Sequence, residues 1–370
     1  MYINRVLSRR KLWMSIGIGS MLAYSSRFSR AQSLVGFNPL ISPSIPAKSP
    51  AEVLLIAITQ TSKQRIVAAG EHGVIVYSDD FGKNWTQAQV PVDVTITCVA
   101  FSTPLLGWAA GHFGVILNTK DGGKTWVKQL DGIQANQLTL AAAQGVVVQN
   151  NPCPCAENAL RRADFFMKGG PDKPFLSMLV FSDQEVIAFG AYRLAMRTVD
   201  GGKNWSDWSL HIYDKLSHNI YDSAVVDGNY YLTAEQGLVF SSTDQGNTFL
   251  PVAPTSDTTL FGIVGGLDNS LIVYGVAGTV FRSTDTGKSW DRITLSSQDN
   301  ITSGCCLKSG DILIATEAGA LFKSTDNGSS FTEIPGIPAV PIFGILDMSA
   351  GGLITCGADG ISKISKNIFS

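Results

Sequence analysis

Thr119-Lys120-Asp121-Gly122-Gly123-Lys124-Thr125-Trp126 is the stretch that decides the fold. It spells a small hydroxyl residue, a gap, Asp, a gap, Gly, two gaps and an aromatic ring. The same pattern recurs from Ser78 to Trp85, Thr198 to Trp205, Ser242 to Phe249, Ser283 to Trp290 and Ser324 to Phe331. Its acids, Asp80, Asp121, Asp200, Asp244, Asp285 and Asp326, lie 41, 79, 44, 41 and 41 positions apart. That period matches one four-stranded propeller blade per copy, with 79 equal to one period plus an insertion. The chemistry is that of a folded hairpin turn: Asp bonds nearby backbone, Gly supplies positive φ, and the ring wedges between neighbouring blades. These six Asp-box acids therefore read as structural.

A second signature precedes each box, a tight Gly-x-x-Gly turn between two apolar runs. Gly70 to Gly73, Gly111 to Gly114 and Gly275 to Gly278 carry it intact; Gly190 to Arg193, Ala234 to Gly237 and Thr316 to Gly319 keep one glycine. A seventh copy, Gly357 to Gly360, has no box behind it. Seven turns imply an all-β, seven-bladed β-propeller. With strands lettered A to D from the axis outward, these turns join B to C and the boxes join C to D. Strands alternate in direction, so the two turn types lie on opposite faces. The last blade lacks a strand D, and residues Ser33 to Ile41 are expected to supply it beside Ile361 to Lys366. The insertion, about 131–174, falls between blades 2 and 3. Ala156, Ala159, Leu160, Ala163 and Met167 recur at helical spacing there, predicting one short amphipathic helix over one face.

Composition bounds the function classes. Hydrophobic residues at 45% and charged ones at 16% of 370 residues describe a folded chain. Residues 1–31 read as an export signal, with Arg5, Arg9, Arg10 and Lys11 before an apolar run from Leu12 to Tyr24 and a cleavage site at Ser29-Arg30-Ala31. Arg9-Arg10 fits a twin-arginine signal, and an ordinary Sec signal fits as well. The mature chain, 32–370, is expected to be periplasmic and monomeric. Removing residues 1–31 takes six of the 28 basic residues and none of the 30 acidic ones, leaving a net charge of −8. Such a surface repels nucleic acid and anionic lipid. Cys98, Cys305, Cys306 and Cys356 sit in predicted strands as small hydrophobes, whereas Cys153-Pro154-Cys155 lies in a loop where it can form a disulfide, bind a metal or react. No cofactor or metal site is read from the sequence.

The B to C turns place their variable residues on the face that carries the insertion. That set is Glu71 and His72, His112 and Phe113, Tyr192 and Arg193, Glu235 and Gln236, Glu317 and Asp359. They form a candidate partner-binding ring of carboxylates, imidazoles and one cation. Arg193 occupies a position where other blades use glycine. The boxes, the seven turns and the insertion running into Gly170-Pro171-Asp172-Lys173-Pro174-Phe175, then Phe189-Gly190-Ala191-Tyr192, resemble the exported BNR-repeat family of photosystem II stability and assembly factors. The resemblance implies a non-enzymatic scaffold for a protein client, membrane-associated or exported, acting in the periplasm or, in a photosynthetic host, in the thylakoid lumen. It also implies basic residues on one face, from which this acidic mature chain with seven arginines departs. Asp-boxes also occur in glycoside hydrolases, so an enzyme is the alternative. A sialidase needs three converging arginines, and a neutral-glycan hydrolase needs only two carboxylates, for which Glu71, Glu235, Glu317 and Asp359 are available.

Overall fold

The computed structural model describes residues 37–149, 154–252, 256–348 and 352–365. The chain divides into two compact units, Met1–Asn38 and Pro39–Ser370. Only Phe37 and Asn38 of the first unit are among the described residues, so the export signal lies outside them, as does Cys153.

The second unit is a ring of seven antiparallel sheets, six with four strands and one with three. In blade 1, strand A is Leu55–Gln60, B is Ile66–Gly70, C is Ile75–Ser78 and D is Thr86–Gln87. Each strand B is covered on both faces by adjoining blades, which explains why Ile66–Gly70, Gly107–Gly111, Val186–Gly190 and Leu271–Gly275 are apolar without alternation and wholly buried. The apolar clusters accordingly lie between blades: Val67, Ala69 and Ile75 of blade 1 pack with Val99, Ala109 and Trp126 of blade 2. Stability is thereby spread around the ring as nearest-neighbour interfaces.

Two devices repeat in all seven blades. The first residue of every B to C turn donates its N–H to the carbonyl just ahead of its own strand A: Glu71 to Leu54, His112 to Thr95, Ala191 to Pro174, Glu235 to Asn219, Val276 to Thr259, Glu317 to Asn300 and Ala358 to Pro341. Next to that bond, strand A bulges by one residue in each sheet, at Ile56, Thr97, Leu176, Tyr221, Phe261, Thr302 and Phe343. A bulge sharpens the local twist, which suits innermost strands converging on an axis.

Closure differs from the sequence expectation. Residues 33–36 lie outside the described residues, while Pro39 and Leu40 sit at the border of blades 1 and 2: Asp93 N donates to Pro39 O at 2.9 Å and Lys128 Nζ to Leu40 O at 2.8 Å. Neither pairs with strand C of blade 7, Gly360–Ile364. The chain instead runs back along blade 1, Ser44 N to Val90 O at 3.0 Å and Ala47 N to the Gln87 side chain at 2.8 Å, until Ala51 O accepts the N–H of Ile361 at 2.8 Å. Side-chain packing completes the seam, with Trp85, Leu55 and Val76 of blade 1 against Cys356 and Ile361 of blade 7.

The insertion also differs. Two helices, α1 (Gly132–Gln149) and α2 (Pro154–Gly169), lie between Leu130 and Phe175 where the sequence reading expected one. Asp131 starts α1, its Oδ1 accepting the N–H groups of Ile133 and Gln134 while Gln134 Oε1 accepts the N–H of Asp131 at 3.2 Å. The helices meet through Ala143, Ala159 and Ala163, and small side chains permit that close approach. No helix among the described residues is long and apolar enough to cross a membrane.

Candidate functional site

The face of the Asp turns comes first, because it accounts for most of the polar repeats. In blade 2, Asp121 Oδ1 accepts the N–H groups of Lys124 and Thr125, each at 3.0 Å, and the Thr119 hydroxyl at 2.9 Å; Oδ2 accepts the Thr125 hydroxyl at 2.6 Å. The Asp side chain bonds backbone three and four residues on, because the hydroxyl of Thr119 occupies the nearer N–H groups, accepting from Gly123 at 2.9 Å. Gly123 has φ +88°, the left-handed conformation expected of it. With so many donors, Asp200 and Asp285 are held down at about 2, the backbone N–H of Asn204 and the Ser289 hydroxyl being the leading causes.

Neighbouring blades then clamp each other's turns. Arg65 of blade 1 donates to Asp121 O at 3.0 Å, Gln129 of blade 2 to Gly201 O at 2.9 Å, Arg197 of blade 3 to Asn247 Oδ1 at 3.2 Å, and Arg282 of blade 5 to Asn327 O at 2.7 Å. Arg65, Arg197 and Arg282 are also paired, with Asp79, Glu185 and Asp268. These cations are blade-to-blade fasteners.

On the opposite face, the second residue of the B to C turns is left-handed in five blades: His72, Phe113, Tyr192, Gln236 and Ala277 have φ between 53° and 57°. The third is glycine except in blade 3, where Arg193 takes φ +58°. A side chain there costs about 1 kcal/mol. What offsets it is a lock. The Arg193 guanidinium donates to the carbonyls of Ile212 and Asp214, and its backbone N–H to His218 O at 2.8 Å. Its carbonyl accepts from Arg162 of α2 at 3.1 Å. Arg162 also donates to the Ser209 hydroxyl and lies 3.8 Å from Asp207, whose side chain is fully buried. Thr139 of α1 donates to that same carboxylate at 2.8 Å. Both helices are therefore bolted to strand D of blade 3, Ser206–Asp207. Burial pushes Arg162 down to about 10, with Asp207 pulling the other way, and burial lowers Arg193 too.

The network continues into blade 4. His218 Nδ1 meets Asp214 Oδ1 at 2.9 Å, and its Nε2 meets Gln236 Oε1 at 3.1 Å. Glu235 accepts the Asn219 side-chain amide at 2.9 Å and its backbone N–H at 3.1 Å, and Asn219 Oδ1 accepts the N–H of Tyr192 at 2.7 Å. Above it the Tyr192 ring meets Phe165 edge-on at 5.1 Å, with Lys173 4.8 Å above the Phe165 ring. Phe165, Tyr213 and Leu216 stay 46%, 60% and 73% exposed, an apolar surface carried on a rigid polar base.

Of the expected ring, Tyr192, Arg193, Glu235 and Gln236 are thus brought together. His112 and Phe113 lie beside the start of α1, and burial presses His112 down to about 4. His72 pairs with Asp93 at 2.9 Å, while Glu71, Glu317 and Asp359 remain on the turns of blades 1, 6 and 7 with no bond among them. Sequence reasoning missed Thr139, Asp207, Ser209, Asp214, His218 and Asn219. One signal was available: the third and fourth acids are 44 apart in place of 41, and the extra residues fall in the loop that carries most of that set.

Residues 78–149, from the first Asp turn to the end of α1, match the family model of the photosystem II assembly factor YCF48. Over those residues the chain is similar to that family. Among solved structures it is similar to YCF48 bound to a D1 peptide, at 16% identity and TM-score 0.62 over 90% of this chain and 98% of that one. YCF48 from Cyanidioschyzon merolae is similar at 16% identity and TM-score 0.61 over 86% and 97% of the two chains. The GH74 enzyme of Niastella koreensis shares the propeller at 13% identity and TM-score 0.59 over 86% of this chain and 53% of that one, so the structural likeness alone speaks to fold. No curated protein matches the sequence.

Proposed function

We propose that this assembly factor-like propeller is an exported, non-enzymatic scaffold that holds a protein client during assembly or stabilisation of a membrane or exported complex. The observation that carries the reading is the insertion fixed over blades 2 and 3, with exposed Phe165, Tyr213 and Leu216 standing on a buried Arg162–Asp207 and Arg193 base. Rigid aromatic side chains on a preorganised surface are what protein recognition uses, since little entropy is lost on binding. The similar propeller bound to a D1 peptide supports a protein client, the opening 31 residues support export, and the acidic mature chain disfavours nucleic acid. The protein acts as a monomer in the periplasm, or in the thylakoid lumen of a photosynthetic host.

The test pairs Phe165→Ser and Tyr213→Ser in one variant and measures co-purification with membrane complexes, and affinity for the D1 peptide, beside a melting curve. Because both side chains are exposed, the melting temperature should hold while client capture falls at least about tenfold, as loss of two interface aromatics implies. Unchanged capture by the folded variant would contradict the assignment.

A further inference from the structure

The loop from Asp207 to Asn219 joins strand D of blade 3 to strand A of blade 4, Ile220–Val226, and both arginines of the lock end on it. Its own closure depends on two side chains almost out of solvent, His218 at 7% and Asp214 at 3% exposed, 2.9 Å apart. Asp214 Oδ1 also accepts the N–H of Leu216 at 3.0 Å, and Oδ2 that of His218 at 2.5 Å, so this carboxylate shapes the turn between them. Both imidazole nitrogens face acceptors, Asp214 Oδ1 on one side and Gln236 Oε1 on the other. A neutral imidazole donates through one nitrogen only, so with the Gln236 amide presenting Oε1 to the ring it is the imidazolium that satisfies both contacts, whereas a neutral ring requires that amide to turn its NH2 inward.

We propose that His218 and Asp214 form a proton-loaded clasp: with His218 as imidazolium the loop is closed and holds α2 down through Arg193 and Arg162, and loss of that proton loosens the loop and the helix together. This inference concerns the docking of the insertion and does not rest on the client-binding reading. The charged groups around the ring agree with it. Asp214 faces it from the loop and Glu235 from the blade 4 turn, where Gln236 contributes its amide oxygen. From the blade 3 side, Arg193 directs its guanidinium to Asp214 O rather than to the ring, and Arg162 is drawn to Asp207.

The sign follows from the two partners. His218 lies above its ordinary value, first through the bond to Asp214, against burial, and then through the charge of Asp214, the bond to Gln236 and the charge of Glu235. Its contribution is complete below about pH 6.5, the ordinary histidine value, and is lost as pH rises through the higher folded value. Burial raises Asp214, but the bonds and charge of His218 outweigh it and leave the acid below its ordinary range. Its contribution is present above about pH 4 and disappears on stronger acidification. The clasp is therefore tightest in mildly acidic solution.

The experiment is hydrogen exchange on the full-length protein at about pH 6 and about pH 8.5, corrected for intrinsic rates, with an NMR titration of the histidine rings. The wild type should show severalfold more opening of residues 208–219 and α2 at the higher pH, with blades 5 and 6 unchanged. His218→Gln should show the same opening at both values. A His218→Gln protein that keeps the wild-type dependence overturns the proposal. Should that variant fold poorly, the titration of the wild type decides: a His218 ring that titrates at or below about 6.5 rules the clasp out.

Discussion

Asp121 shows how much one side chain does in this architecture. Its carboxylate closes its own turn through four bonds, and its carbonyl receives Arg65 from the blade before. Trp126, held by Nε1 to Gly123 O at 3.1 Å, is buried against blade 1. Asp121→Ala should therefore lower stability by about 2 kcal/mol, the usual loss for charge-assisted bonds to backbone, with client capture unchanged in the folded fraction; urea unfolding monitored by tryptophan fluorescence checks it. The role of Asp121 was legible because its spacing repeats. Arg193 was legible only in part: its position in a glycine slot announced a special backbone, but its partners are backbone carbonyls at 212 and 214, which carry no side-chain signature.

At the scale of elements the insertion is part of the core rather than a removable cover. Phe166 of α2 and Ala135 of α1 are buried among Trp108, Leu130, Phe175 and Met196 of blades 2 and 3. Phe166→Ala should cost about 3 to 5 kcal/mol, the range for deleting a fully buried aromatic, and should loosen the border of blades 2 and 3 first; exchange rates of Gly107–Gly111 and Val186–Gly190 report it. Helix α2 was readable from its apolar spacing. Helix α1 escaped because Leu138, Leu140, Ala141 to Ala143 and Val146 to Val148 leave no single apolar face, although Asp131 and Gln134 spell a capping box that marks its start.

At the scale of the whole molecule the ring was legible because each blade repeats two turns whose residues are dictated by backbone geometry. The seam between first and last blades was not, since it depends on Ala51 O meeting Ile361 N and on Trp85 packing across, contacts between residues more than 270 positions apart with no periodicity to announce them. The same division separates the faces. Repeats specify the Asp-turn face, whereas the opposite face draws its character from the insertion and from the loop between Asp207 and Asn219, and the proposed function is placed there for that reason. The most direct test places a photoreactive phenylalanine analogue at position 165, at position 213 or at position 83 on the Asp-turn face, then irradiates intact cells of the native host and identifies the adducts by mass spectrometry. Positions 165 and 213 should yield the same membrane-associated or exported protein, and position 83 none. Adducts to that protein from position 83 alone would contradict the account.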